Sequence, residues 1–122
     1  MGFMASKRVT LYHNPACGTS RNVLALLHER GIEPQVVEYL KTPPSREQLR
    51  AMVLRSGLPA REFLRKREPL YKELDLDNPK WSEGQIVNFL AENPSLLNRP
   101  VVDTGKGVRP CRPAETVLDL LD

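Results

Sequence analysis

Two short runs rich in β-branched and aromatic residues, RVTLY at 8–12 and PQVVEY at 34–39, stand on either side of a helical stripe. Between them, in residues 18–30, Val23, Leu24, Leu26 and Leu27 recur at helical spacing, and Gly31 offers a natural stop. A strand, a helix and a strand packed into so short a stretch leave little choice of topology. The helix serves as the crossover, and the two strands lie parallel in one sheet.

The middle of the chain changes character. TPPSREQL sets Ser45 three residues before Gln48, a capping box that opens a helix at residue 46. Gly57 and Pro59 break that helix, and residues 60–67 read as another short one. YKELDL and WSEGQIVNFLAEN, with Ile86, Val87, Phe89 and Leu90 on one face, continue the helical block. After NRPVVD the strand signal returns. Val101 and Val102 begin a third strand, GKG makes a tight turn, and VRP continues the partner strand. Residues 113–121, PAETVLDLL, open with Pro at a first-turn position and predict a closing amphipathic helix. The order β-α-β, helices, β-β-α is that of an α/β protein with a thioredoxin- or glutaredoxin-like core. It implies a mixed four-stranded sheet with a helical insertion at residues 43–95. A length of 122 residues fits one domain over 1–122.

Composition narrows the class. With 40% hydrophobic and 27% charged residues the chain has the balance of a soluble globular protein. It holds no apolar run long enough to span a bilayer, and MGFMASKR lacks the apolar stretch of a secretory signal. The expectation is therefore a cytoplasmic protein with no membrane partner. MGFMAS does fit the loose M-G-x-x-x-S myristoylation pattern, although Met4 offers a second start and the segment could be left by cloning. A net charge of +3 and a pI near 9.1 are too mild to argue for a nucleic-acid partner. Two cysteines, two histidines and no CxxC pair speak against a disulfide framework and against a bound metal.

One cysteine nevertheless stands in a telling place. In HNPACGTSR, residues 13–21, Cys17 follows a strand and an Asn14-Pro15 turn and directly precedes the first helix. Unpaired backbone N–H groups at a helix start favour an anion, so a cysteine there has its thiolate stabilised and becomes a nucleophile. His13 and Arg21 add positive charge if they point inward. The alternative is that Cys17 is a small buried hydrophobe. A tyrosine-phosphatase loop is excluded, because it needs an arginine six positions after the cysteine, where Val23 stands. Dithiol chemistry is excluded because CGTS places Ser20 where a second cysteine would be. Ser20 can hydrogen-bond the sulfur but cannot resolve a disulfide, so turnover needs an outside thiol. Cys111, between Pro110 and Arg112, either packs in the core or lies close enough to resolve Cys17.

Three arginines have unusual surroundings. Arg65 ends FLRKR, Arg99 precedes Pro100 at the mouth of a strand, and Arg112 precedes Pro113 at the last helix. In a thioredoxin-like fold the segment before the third strand faces the start of the first helix, often through a cis X-Pro bond, which Arg99-Pro100 would supply. Guanidiniums gathered around a thiolate form a bidentate cradle for a tetrahedral oxyanion. On spacing alone each arginine could equally be a solvated surface residue.

HNPACGTSR, FLRKR, NRPVV and CRPAE, in that order and at these separations, closely resemble the glutaredoxin-coupled arsenate reductase family over residues 8–121. YKELDL and the chain end near residue 122 are closer to a shorter, less characterised branch of it. The resemblance implies that Cys17 is the nucleophile, that His13 helps keep its thiolate, and that Ser20 hydrogen-bonds the sulfur. It assigns oxyanion binding to Arg65, Arg99 and Arg112, with Arg67 a competitor of Arg65. The implied activity is reduction of arsenate to arsenite in arsenic detoxification, with glutathione as co-substrate, glutaredoxin as partner and no bound cofactor. A monomer is expected. Two other readings stay open: a glutathione-dependent monothiol oxidoreductase acting on protein mixed disulfides, and an RNA-polymerase-binding redox regulator of the same fold.

Overall fold

The computed structural model describes residues 8–121, so the MGFMAS pattern lies outside the described residues. The regular elements are β1 (Thr10–His13), α1 (Gly18–Glu29), β2 (Gln35–Glu38), α2 (Arg46–Ser56), α3 (Pro69–Glu73), α4 (Glu83–Glu92), β3 (Val101–Thr104) and β4 (Gly107–Pro110). Shorter 3-10 segments cover Ala60–Phe63, Pro94–Leu96 and Ala114–Leu120.

The four strands form one mixed sheet in the order β2-β1-β3-β4. β1 pairs with β2 in parallel and with β3 antiparallel, and β3 turns back into β4. The parallel pair is the one expected from the first strand-helix-strand unit, with α1 as its crossover.

Strand pleating divides the core. Leu11 of β1 is opposite Val102 of β3, and both side chains enter an apolar layer with Val23 and Leu27 of α1, Cys111 and Val117. The next residues along, Tyr12 and Val101, are also opposite each other and join the other layer. There Phe63, Leu76, Ile86 and Leu96 are fully buried beneath α2 and α4. A sheet covered on both faces holds the C-terminal end of β1 fixed, and that end carries His13.

Local chemistry explains the helical block. Ser45 and Ser82 each accept from the backbone N–H three residues on, while Gln48 and Gln85 reach back to the serine N–H. Both capping boxes are complete, including one at Ser82 that WSEGQ encodes equally plainly. Gly57 ends α2 in the left-handed conformation, φ 70°, which a side chain resists. Arg55 ties the end of α2 to the sheet, pairing with Asp103 and donating to the Thr104 carbonyl at 2.7 Å.

Two expectations need correction. The short helix at 60–67 is only the 3-10 turn Ala60–Phe63, after which Leu64 forms an isolated antiparallel bridge with Leu97. Arg65 therefore leaves an extended segment, its N–H donating to the Leu96 carbonyl at 2.7 Å. The closing amphipathic helix is a 3-10 segment over Ala114–Leu120. Its apolar residues Val117 and Leu120 are buried all the same, and Asp119 pairs with Arg109 of β4 at 3.6 Å.

Leu11 has no exposed surface and sits in the layer beneath α1. Leu11→Ala leaves a cavity there and is expected to lower the unfolding free energy by about 2–5 kcal/mol. Urea denaturation checks this, with an unchanged midpoint counting against the two-layer description.

Candidate active site

The turn between β1 and α1 is held by its own residues. Asn14 Oδ1 accepts from the Ala16 N–H at 3.0 Å, and the Asn14 carbonyl accepts from the Cys17 N–H at 2.9 Å. Arg21, one turn into α1, reaches back and donates to the Pro15 carbonyl at 2.8 Å. It braces the loop instead of pointing at the sulfur.

Cys17 is the N-cap of α1, with extended φ and ψ of −95° and 122°. At that position a serine or aspartate oxygen would accept from the second and third N–H groups of the helix, here those of Thr19 and Ser20. The Cys17 sulfur makes no capping hydrogen bond of that kind. Partial burial would push its thiol pKa up. The Ser20 N–H, the guanidiniums of Arg99 and Arg112 and the Thr19 N–H together outweigh that, and the pKa lies below its ordinary value. Arg112 Nη1 lies 3.7 Å from the Cys17 sulfur and also donates to the Arg99 carbonyl at 3.1 Å.

His13 and Ser20 form a buried pair, with Nδ1 and Oγ 2.5 Å apart. The Ser20 hydroxyl also accepts from the Asn14 N–H at 3.1 Å. Ser20 acts on the sulfur through its backbone N–H, while its side chain locks the loop to β1. His13 does point inward, but burial lowers its pKa, reinforced by Arg21 and opposed by Glu38. The imidazole is hydrogen-bonded to Ser20 at the floor of the loop.

Arg99 and Arg112 therefore meet at Cys17. The Arg99–Pro100 bond is cis, as expected, and so is Arg112–Pro113. Arg65 is not among the groups that act on the thiol. It pairs with Glu68 at 3.3 Å and lines a cleft of ≈ 310 Å³ with Lys66, Arg67, Asn98 and Arg112. Arg65 and Arg67 both line that cleft.

One residue was missed. Tyr39, just past β2, is fully buried, and its hydroxyl has no hydrogen-bond partner. Burial raises its pKa, while Arg99 and the Asn14 side chain pull it down and Cys17 pushes it up. It is a protonated donor beside the thiolate and Arg99. Arg99 Nε is likewise buried and unpartnered. Two buried donors without an acceptor carry a desolvation cost that a bound anion would offset. In sequence Tyr39 reads as an ordinary strand residue; only the packing of β2 against β1 brings it here.

Cys111 is fully buried, and desolvation raises its pKa to about 12. It packs beneath α1 as an inert thiol. Among the described residues, no group of three or more His, Cys, Asp or Glu is placed to hold a metal ion, and no helix is long and apolar enough to cross a membrane.

The sheet is thioredoxin-like, with one low-pKa thiol at the start of its first helix and Arg112 against it. The model of the ArsC family matches residues 12–120, and the chain belongs to that family. It is 51% identical to the arsenate reductase of Rhizobium meliloti (strain 1021) over 113 residues, 93% of this chain and 81% of that protein. Identity to the arsenate reductase of Escherichia coli (strain K12) is 44% over 113 residues, covering 93% of this chain and 80% of the relative. The solved structure of arsenate reductase from Vibrio cholerae superposes with a TM-score of 0.89 at 43% identity, covering 95% of this chain and 99% of that one.

Native protein should present one thiol to Ellman's reagent and unfolded protein two, because Cys111 is buried and protonated. Arg112→Gln removes one stabiliser of the Cys17 thiolate, so the pH midpoint of iodoacetamide alkylation should move upward. A midpoint that does not move would show that Arg112 does not hold the thiolate and that the helix N–H groups and Arg99 do.

Proposed function

We propose that the protein is an arsenate reductase in which Cys17 is the nucleophile and glutathione and glutaredoxin supply the electrons. The observation that carries this reading is Arg112, 3.7 Å from the Cys17 sulfur, acting with Arg99 to lower the pKa of that thiol. Such a donor set suits a tetrahedral oxyanion, whose repulsion from a thiolate it offsets. The family and its arsenate reductase relatives support the choice of oxyanion.

In this mechanism the Cys17 thiolate attacks arsenic, an S–As bond forms and an As–O bond breaks. The departing oxygen takes up protons and leaves as water, and arsenic is still As(V). The glutathione thiolate then attacks the Cys17 sulfur. The S–As bond breaks with its electron pair left on arsenic, which departs as arsenite, As(III). The two sulfurs, each oxidised by one electron, remain as a Cys17–glutathione disulfide. Glutaredoxin attacks the glutathione sulfur and returns the Cys17 thiolate. No resident cofactor enters this scheme, and a single-domain cytoplasmic monomer belongs to the same reading.

Arsenite production by the purified protein with arsenate, glutathione and glutaredoxin tests it. Cys17→Ser should fall to background, and Arg99→Gln should lose about 100-fold in kcat/KM for arsenate. Wild-type protein that forms no arsenite, although its Cys17 alkylates at low pH, would reject arsenate and leave a disulfide substrate.

A further inference from the structure

Packing accounts for the ring of Tyr39 but not for its hydroxyl. The side chain has no exposed surface and lies in the layer beneath α2 and α4, with Phe63, Leu64, Leu96 and Val101. Its hydroxyl is buried there without a hydrogen-bond partner. Phenylalanine would fill the same space with no polar group to strip of water.

The backbone shows what the hydroxyl is held against. β1 and β2 run in parallel with His13 opposite Glu38, so Tyr39 follows at the level of Asn14, which closes the turn before Cys17. The N–H groups of Lys41 and Thr42 both donate to the Glu38 carbonyl at 2.9 Å, which fixes the chain immediately around Tyr39. The side chains whose polar groups reach its hydroxyl are those of Arg99 and Asn14.

Arg99 carries the complementary anomaly. The residue is half-buried, its Nε is enclosed without a partner, and its guanidinium acts on the Cys17 sulfur. The two arginines at the sulfur are therefore steered differently. Arg112 is tied through Nη1 to the Arg99 carbonyl at 3.1 Å. Arg99 has no such tie at its Nε, and the group the fold sets beside it is a hydroxyl, which accepts as well as donates.

We propose that Tyr39 is a positioning residue for Arg99: its hydroxyl backs the Nε edge of the guanidinium and keeps the opposite edge turned toward the Cys17 sulfur and a bound oxyanion. Tyr39 does not touch the reacting atoms. The fold gives up some core stability to aim one cation, an exchange common at functional sites. The inference rests on the reading of Cys17 as a nucleophile that meets an oxyanion, but its first readout needs no arsenate.

Tyr39→Phe removes the hydroxyl and leaves the ring. The variant should melt at the wild-type temperature or above it, because a buried unpaired group is gone. The pH midpoint of Cys17 alkylation should nevertheless move upward, since Arg99 is one of the groups that hold the thiolate. In Arg99→Gln protein the same substitution should leave the midpoint where Arg99→Gln alone puts it. In the arsenate assay Tyr39→Phe should raise KM for arsenate about tenfold and change kcat by less. An unmoved midpoint, or an unmoved KM in protein that turns over arsenate, would overturn the proposal. So would a midpoint shift of equal size with and without Arg99. A wild type that makes no arsenite, while Tyr39→Phe still moves the midpoint only when Arg99 is present, would sink the arsenate reading and keep this one.

Discussion

The site depends on sulfur standing where a capping oxygen normally stands. A helix start offers N–H groups that its own turns cannot satisfy, and most chains answer with Ser, Thr, Asp or Asn. Here Cys17 holds the N-cap and the N–H groups of Thr19 and Ser20 face it. Those N–H groups favour the charged sulfur, so the helix start lowers the Cys17 pKa. Every other feature of the loop keeps that alignment. Asn14 closes the turn, Arg21 holds the Pro15 carbonyl, and the His13–Ser20 pair pins the first turn of α1 to the end of β1.

Around this centre charge is sorted by depth. His13 is buried beneath the loop, and that burial lowers its pKa. The cations that act on the thiol, Arg99 and Arg112, come instead from either end of the β3–β4 hairpin, where the chain enters the sheet and where it leaves. Their approach from outside puts Arg112 Nη1 3.7 Å from the sulfur. A histidinium below the loop would have stabilised the thiolate without contacting a substrate.

Much of this was legible in the residues. The parallel β1–β2 pair followed from one helix between two β-branched runs. Ser45 and Gln48 announced the start of α2, and Cys17 was conspicuous because it stands in a turn and not in an apolar stripe. What escaped lay in long-range packing. Tyr39 joins the site only because β2 is the neighbour of β1, which no local pattern can express. Ser20 could be placed near the sulfur, but which of its groups serves it depends on His13 across the turn. The segment after Phe63 was read as helix because FLRKR has helical propensity; the bridge from Leu64 to Leu97 overrides it. The closing 3-10 segment was mistaken for the same reason, since an apolar spacing that buries Val117 and Leu120 suits either kind of turn.

The commitment of Ser20 also limits how this site can change. A two-thiol site differs from CGTS by one residue, and a serine codon can become a cysteine codon in a single step. Yet the position 20 side chain is turned toward His13 Nδ1 and the Asn14 N–H, at 2.5 and 3.1 Å. A cysteine there would exchange both hydrogen bonds for weak thiol contacts and loosen the loop that aims Cys17. It would have to leave that pocket before it could meet the first sulfur. A second thiol at position 20 would thus have to rebuild the floor of the turn first.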